Sequence, residues 1–138
     1  MLIAGNGTLM RGLELNQNLL AAGAVFIRED RTAPFYRLWS IDDRYPGMLR
    51  INQEDAGVIE LEIWDVDEQG SMRILKQEPS GLTLGRVLLA TGQEVLGVLA
   101  EPYLVEGMPE ITNFGGWRAY LSFKHEIGSY AGELRSLS

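Results

Sequence analysis

Residues 57–66, GVIELEIWDV, carry the strongest pattern in the chain. Ile59, Leu61 and Ile63 alternate with Glu60 and Glu62, a period of two that predicts a strand with one buried and one wet face. Residues 1–5 form a short apolar run and predict a first, buried strand. The segments AVFIRED and YRLWSID, rich in β-branched and aromatic residues and separated by Pro34, predict two more. In YPGMLRI the Pro-Gly pair predicts a turn leading into a short strand. Residues 85–90 and 94–101, joined by Thr91-Gly92-Gln93, predict a hairpin.

Helical patterns are fewer. Leu13, Leu15, Leu19 and Leu20 follow helical spacing, with Gly23 as the stop. EQGSMRILKQ predicts a short helix that Pro79 ends, with Glu78 pushed toward an extended conformation. FGGWRAYLSFK predicts a helix with Phe114, Trp117 and Leu121 on one stripe. The connections between strands are short, so the pairing is expected to be mostly antiparallel. The class is α/β (α+β): a small mixed, mostly antiparallel β-barrel with a few packed helices. One domain is expected over 1–124, followed by a small, polar, flexible tail over 125–138.

Composition narrows the chemistry. The 138 residues are 46% hydrophobic and 22% charged, an ordinary globular balance. The net charge of −7 argues against nucleic acid and against an anionic membrane surface. No apolar run approaches a membrane helix, and MLIAGNG lacks a basic start, so a cytoplasmic location is expected. The chain has no cysteine, which excludes disulfides, thiolate metal sites and a cysteine nucleophile. The one histidine, His125, argues against histidine metal sites and a serine–histidine triad. DVDEQG opens like a calcium loop, but the bidentate glutamate it needs would fall on Lys76. No metal and no cofactor are expected.

The glycine-rich stretch GNGTLMRG, residues 5–12, holds the first candidate site. Its glycine spacing does not fit a dinucleotide fingerprint, and no Lys-Ser/Thr follows for a phosphate loop. A glycine-rich turn after a strand still exposes successive backbone N–H groups, which suits an anion such as a carboxylate. Asn6, Gly7, Thr8 and Leu9 are the candidate cradle; tight packing of the turn is the alternative. Arg37, in the YRLWSID strand, is a candidate bidentate partner for a carboxylate, with a rim arginine as the equal alternative. Glu78 stands at the negative end of a helix dipole; partial burial would raise its pKa and suit a general base, and a surface glutamate in a loop is the alternative.

Several motifs together resemble a known family. Gly12 to Asn16, Thr32 to Leu38 (TAPFYRL), Glu62 to Trp64, Gly81 to Leu89 with Gly92, and Phe114 to Leu121 (FGGWRAYL) are similar to the C-terminal domain of allophanate hydrolase. That domain has a γ-glutamylcyclotransferase-like fold, and the resemblance covers about residues 1–123. The resemblance implies that the amidase part of allophanate hydrolase is absent and that the chain is this C-terminal module as a stand-alone protein. In γ-glutamylcyclotransferases the loop N–H groups hold the substrate. A glutamate takes a proton from the substrate amine, which attacks its own γ-carbonyl to give 5-oxoproline. The matching position is Glu78. The cyclotransferase pattern has a tyrosine where this chain has Ala4, and Glu-Gly where it has Glu78-Pro79. Allophanate hydrolase domains carry a histidine where it has Leu9.

The resemblance implies a site for a small carboxylate-bearing amide or carbamate, with loop 5–9 as anion cradle and Glu78 as base. The chemistry would be cyclotransferase-like acyl transfer or allophanate-related carbamate chemistry. The alternative is a non-catalytic module that stabilises a homodimer or partners an amidase such as allophanate hydrolase. Exposed strand edges in so small a barrel point to a homodimer.

Overall fold

The computed structural model describes the backbone of residues 1–137 and the side chains through residue 127. Among the described residues seven strands and a few helices follow one another: β1 (Leu2–Gly5), α1 (Asn16–Ala21), β2 (Val25–Arg31), β3 (Tyr36–Ile41), β4 (Tyr45–Arg50) and β5 (Glu60–Asp65). Then come α2 (Glu68–Gln77), β6 (Leu82–Leu88), β7 (Glu94–Ala100), the single turn α3 (Pro102–Val105) and α4 (Trp117–Leu137). A 3₁₀ turn over Thr112–Phe114 precedes α4. The tail expected from residue 125 lies, for its side chains from 128 and for Ser138 altogether, outside the described residues.

The expected α+β class holds. Five strands form one sheet in the order β2-β5-β1-β7-β6, and β3-β4 form a separate hairpin. Pairing is antiparallel except between β1 and β7. The sheet is not a closed ladder. Its two outer strands curl toward each other and meet at one isolated bridge, Thr32 to Leu89. Around it Ala33 donates its N–H to the Leu88 carbonyl and Ala90 to the Arg31 carbonyl. Thr32 sits inside this seam and its hydroxyl accepts from the Ile59 N–H at 3.0 Å.

Alternation places apolar side chains on both faces of the sheet. Ala4, Leu61, Ile63 and Val87 face a core closed by the β3-β4 hairpin, Ile111 and the Trp117 and Tyr120 side chains of α4. Ile3, Trp64 and Val98 face a second core closed by Leu19 of α1 and Ile74 of α2. Strand β5 is therefore covered on both sides. The expected wet face fails at Glu62, which is 1% exposed. Loop residue Arg11 and α4 residue Arg118 cover it and satisfy its charge. A hydrophobicity pattern registers the carboxylate but not the arginines that pair with it from fifty residues away.

A second correction concerns YPGMLRI. Pro46 and Gly47 lie inside β4, opposite Ser40 and Trp39. The turn is made instead by Asp42 and Asp43, at φ 54° and 56°, with the Arg44 N–H donating to the Ile41 carbonyl. Two positive-φ residues in succession match the right-handed twist of the strands they join, and aspartate tolerates that region better than most residues. Asp43 then reaches α4. Its carboxylate accepts from the Ser40 and Tyr120 hydroxyls and pairs with Lys124 at 3.2 Å. These bonds hold its pKa down at about 2.

Candidate functional site

The first loop is held from three sides. Strand β1 is central, so its last residue Gly5 enters the loop from a fixed position. Asn6 is buried, and its side-chain amide donates to the Val98 carbonyl of β7 at 2.8 Å. At the far end Arg11 is clamped by Glu62: its N–H and its Nε donate to the two carboxylate oxygens at 2.8 and 3.1 Å. The Arg11 guanidinium also lies 3.7 Å from the centre of the Phe26 ring, a cation–π contact. Arg118 closes the network, donating to the Arg11 carbonyl at 2.7 Å and to Glu62 at 3.4 Å. Gly12 follows at φ 77°, a reversal that a side chain would strain.

Between these anchors the carbonyls turn inward. Gly7 accepts from the Met10 N–H at 3.0 Å, Thr8 from the Leu15 N–H at 2.9 Å and Leu9 from the Asn16 amide at 2.8 Å. The N–H groups of Gly7, Thr8 and Leu9 have no protein acceptor among the described residues. Gly7 also has a packing role. A Cβ there would stand 2.5 Å from Pro46 Cδ, so only glycine lets β4 approach the loop.

Glu78 reaches the same place from the other side. Helix α2 starts at an Asp67 cap, whose carboxylate accepts from the Gly70 N–H at 2.7 Å, the side-chain cap expected at a helix start. The helix ends where Pro79 demands an extended predecessor, and Glu78 has φ −72° and ψ 149°. Its carboxylate has no ion-pair partner among the described residues. Burial without compensation penalises the charged form and lifts the Glu78 pKa to about 7.

A single cavity brings the two together. Asn6, Gly7, Thr8 and Leu9 line it with Glu78, and Tyr45, Pro46, Leu82 and Val98 close it. It leaves only about 10 Å³ for the centre of a water molecule, the lower limit for holding one water. A wider hollow of about 110 Å³ lies outside it and shares Thr8 and Tyr45. Trp64, Trp117 and Phe114 take no part in filling the cavity; they belong to the two cores. Arg37 is not brought to the cavity. Its guanidinium donates to Gln53 at 3.0 Å and lies 3.9 Å from Glu110. Tyr45 and Pro46 were not legible as site residues, because the Pro-Gly pair reads as a turn rather than a strand facing the loop.

A profile described as the allophanate hydrolase C-terminal domain matches residues 1–122. The chain belongs to that family. Its fold is the γ-glutamylcyclotransferase-like one. The crystal structure of c4763, a uropathogenic E. coli-specific protein, is similar at 54% identity and TM-score 0.85, covering 88% of this chain and 94% of that one. The Kluyveromyces lactis allophanate hydrolase structure is similar at 26% identity and TM-score 0.84, over 88% of this chain and 21% of that one. The Lachancea kluyveri urea amidolyase is 27% identical over 123 residues, which are 85% of this chain. The chain spans only 7% of that relative's length. Among the described residues no helix is long and apolar enough to cross a membrane.

Proposed function

We propose that the chain binds and turns over a small carboxylate-bearing amide or carbamate at the loop–Glu78 cavity. The observation that carries this is one cavity lined both by Gly7, Thr8 and Leu9, whose N–H groups lack protein acceptors among the described residues, and by Glu78, whose uncompensated carboxyl has a pKa of about 7. The N–H groups of Gly7 to Leu9 hold an anionic oxygen of the substrate. Ionised Glu78 accepts a proton from the attacking amine or water, whose lone pair adds to the carbonyl carbon. When the carbonyl–nitrogen bond breaks, the leaving nitrogen takes the proton back from Glu78. A substrate needs more room than one water, so Tyr45 and Pro46 must give way on entry.

The test is turnover of γ-glutamyl amines and of carbamates by the chain and by Glu78→Gln. The expected result is turnover that rises with pH through about 7 and is lost in the variant. Turnover that survives Glu78→Gln overturns the role of Glu78.

A second reading is favoured by the narrowness of the cavity and by the small share of its relatives that this domain forms. In it the domain is a non-catalytic module that stabilises a homodimer or an amidase partner. No turnover of either compound class, together with co-elution with an amidase or a dimer in solution, supports that reading.

A further inference from the structure

Helix α4 reaches both walls of the Glu78 cavity. On the loop side Arg118 donates to the Arg11 carbonyl at 2.7 Å and to the buried Glu62 carboxylate at 3.4 Å. On the hairpin side the Tyr120 hydroxyl donates to Asp43, and Lys124 pairs with the same carboxylate at 3.2 Å. Asp43 precedes Tyr45 by two residues and Pro46 by three, and these two line the cavity from the hairpin. The two attachments differ in kind. Glu62 is out of water and Arg11 binds it as well, so the loop wall is fixed twice over. The Asp43 and Lys124 side chains are each about half exposed, where water replaces an ion pair at little cost. The hairpin tip is otherwise lightly held. Among the described residues β4 pairs with β3 alone, and Tyr45 packs on the small cluster of Ile41, Ala100 and Val105.

We propose that the bonds from Tyr120 and Lys124 to Asp43 are a latch that keeps the cavity shut, and that its release lets the hairpin tip swing out with Tyr45 and Pro46. The closed cavity has room for about one water, so a larger molecule enters through an open state. The tip is the wall that yields. Leu82 and Val98 are held in the β6-β7 ladder, and the loop is clamped through Glu62. A phenol on an ionised carboxylate is a charge-assisted hydrogen bond. It is strong enough to keep the open state rare, and it breaks into water rather than into a core. A molecule that fits the opened cavity binds that state and draws the population toward it. The proposal rests on reading the cavity as the substrate site, but the opening is measured with no substrate present.

The experiment compares the chain with Tyr120→Phe and Lys124→Gln by amide exchange and by ¹³C NMR titration of the Glu78 carboxyl. Tyr120→Phe keeps the ring against Phe114 and Trp117 and removes the donor. The Ser40 N–H donates to the Pro109 carbonyl at 2.9 Å, outside the hairpin, so swinging of the tip exposes it. Its exchange should accelerate about tenfold or more in Tyr120→Phe, while the amides of Leu61 and Ile63 in β5 accelerate less. The Glu78 midpoint, about 7 because of burial, should fall toward 4.5 as water enters. Lys124→Gln, at an exposed position, should move both readings the same way by less, and it decides alone where Tyr120→Phe does not fold. Loss of its positive charge would by itself raise the midpoint, so a fall there reports water. Unchanged Ser40 exchange overturns the latch. So does acceleration in step with β5, or a midpoint that stays or rises in either variant. Failure of turnover, or turnover that survives Glu78→Gln, bears on the chemistry of the cavity and changes none of these readings.

Discussion

Glu78→Gln should make the chain more stable than its parent at alkaline pH. The Glu78 carboxyl has its midpoint at about 7 in the fold against 4.5 when free. Between those values the folded state holds a proton that the unfolded state has released, so stability falls as pH rises. The loss is complete above the folded midpoint. It amounts to about 3 kcal/mol between pH 4 and pH 8. Glutamine keeps the shape and never ionises, so the variant lacks this slope. Urea unfolding of both proteins at pH 4, 6 and 8 measures it. The variant should gain on the parent progressively, by a midpoint shift of about 1–2 M urea from the lowest to the highest pH. Other titrating groups are common to both proteins and cancel in the difference. A difference that stays constant across the range would refute the account, because it would mean that burial does not penalise the ionised carboxyl.

Three further outcomes test the scaffold around the site. Gly7→Ala drives a Cβ to within 2.5 Å of Pro46 Cδ, and should cost about 1–3 kcal/mol in a thermal melt; adding Pro46→Ala should recover much of it. Glu62→Ala removes the shared partner of Arg11 and Arg118. It should cost about 2–4 kcal/mol, toward the low side for a broken buried pair because both arginines can rehydrate. Amide exchange at Thr8 and Leu9 should accelerate with it. Asp43 has its pKa held at about 2 by the Ser40 and Tyr120 hydroxyls. Its support for α4 is therefore present above the free value of 3.8 and fades as pH falls toward 2; Asp43→Asn should melt with a flatter acid limb.

Patterns of local origin were legible in the sequence. The presence of strand β5, the span of α2 before Pro79 and the β6-β7 hairpin are each written within about twenty neighbouring residues or fewer, and the structure keeps them. Pairing across the chain was not legible. Glu62 reads as a wet position because its neighbours alternate, whereas the arginines that bury it come from residues 11 and 118. Pro46 reads as a turn because proline usually punctuates, whereas the aspartates before it adopt the turn. The same divide runs through the site. The loop and Glu78 could be named from turn chemistry, helix ends and resemblance, but Tyr45 and Pro46 became visible only once the β3-β4 hairpin had a place.

Glu62 and Glu78 are best read together with the loop they flank. Both are glutamates drawn out of water, and the fold treats them oppositely. Glu62 receives two guanidinium groups and a backbone N–H, the full set of partners that makes a buried carboxylate tolerable. It spends that charge on fixing the loop. Glu78 receives no ion-pair partner among the described residues, although it stands within the same small structure. An unpartnered carboxyl costs stability near neutral pH, so at a purely structural position glutamine or an apolar residue would hold the fold better. A carboxyl that carries its own folding cost, in a cavity lined by loop residues whose N–H groups lack protein acceptors, suits the proton-transfer role proposed for Glu78.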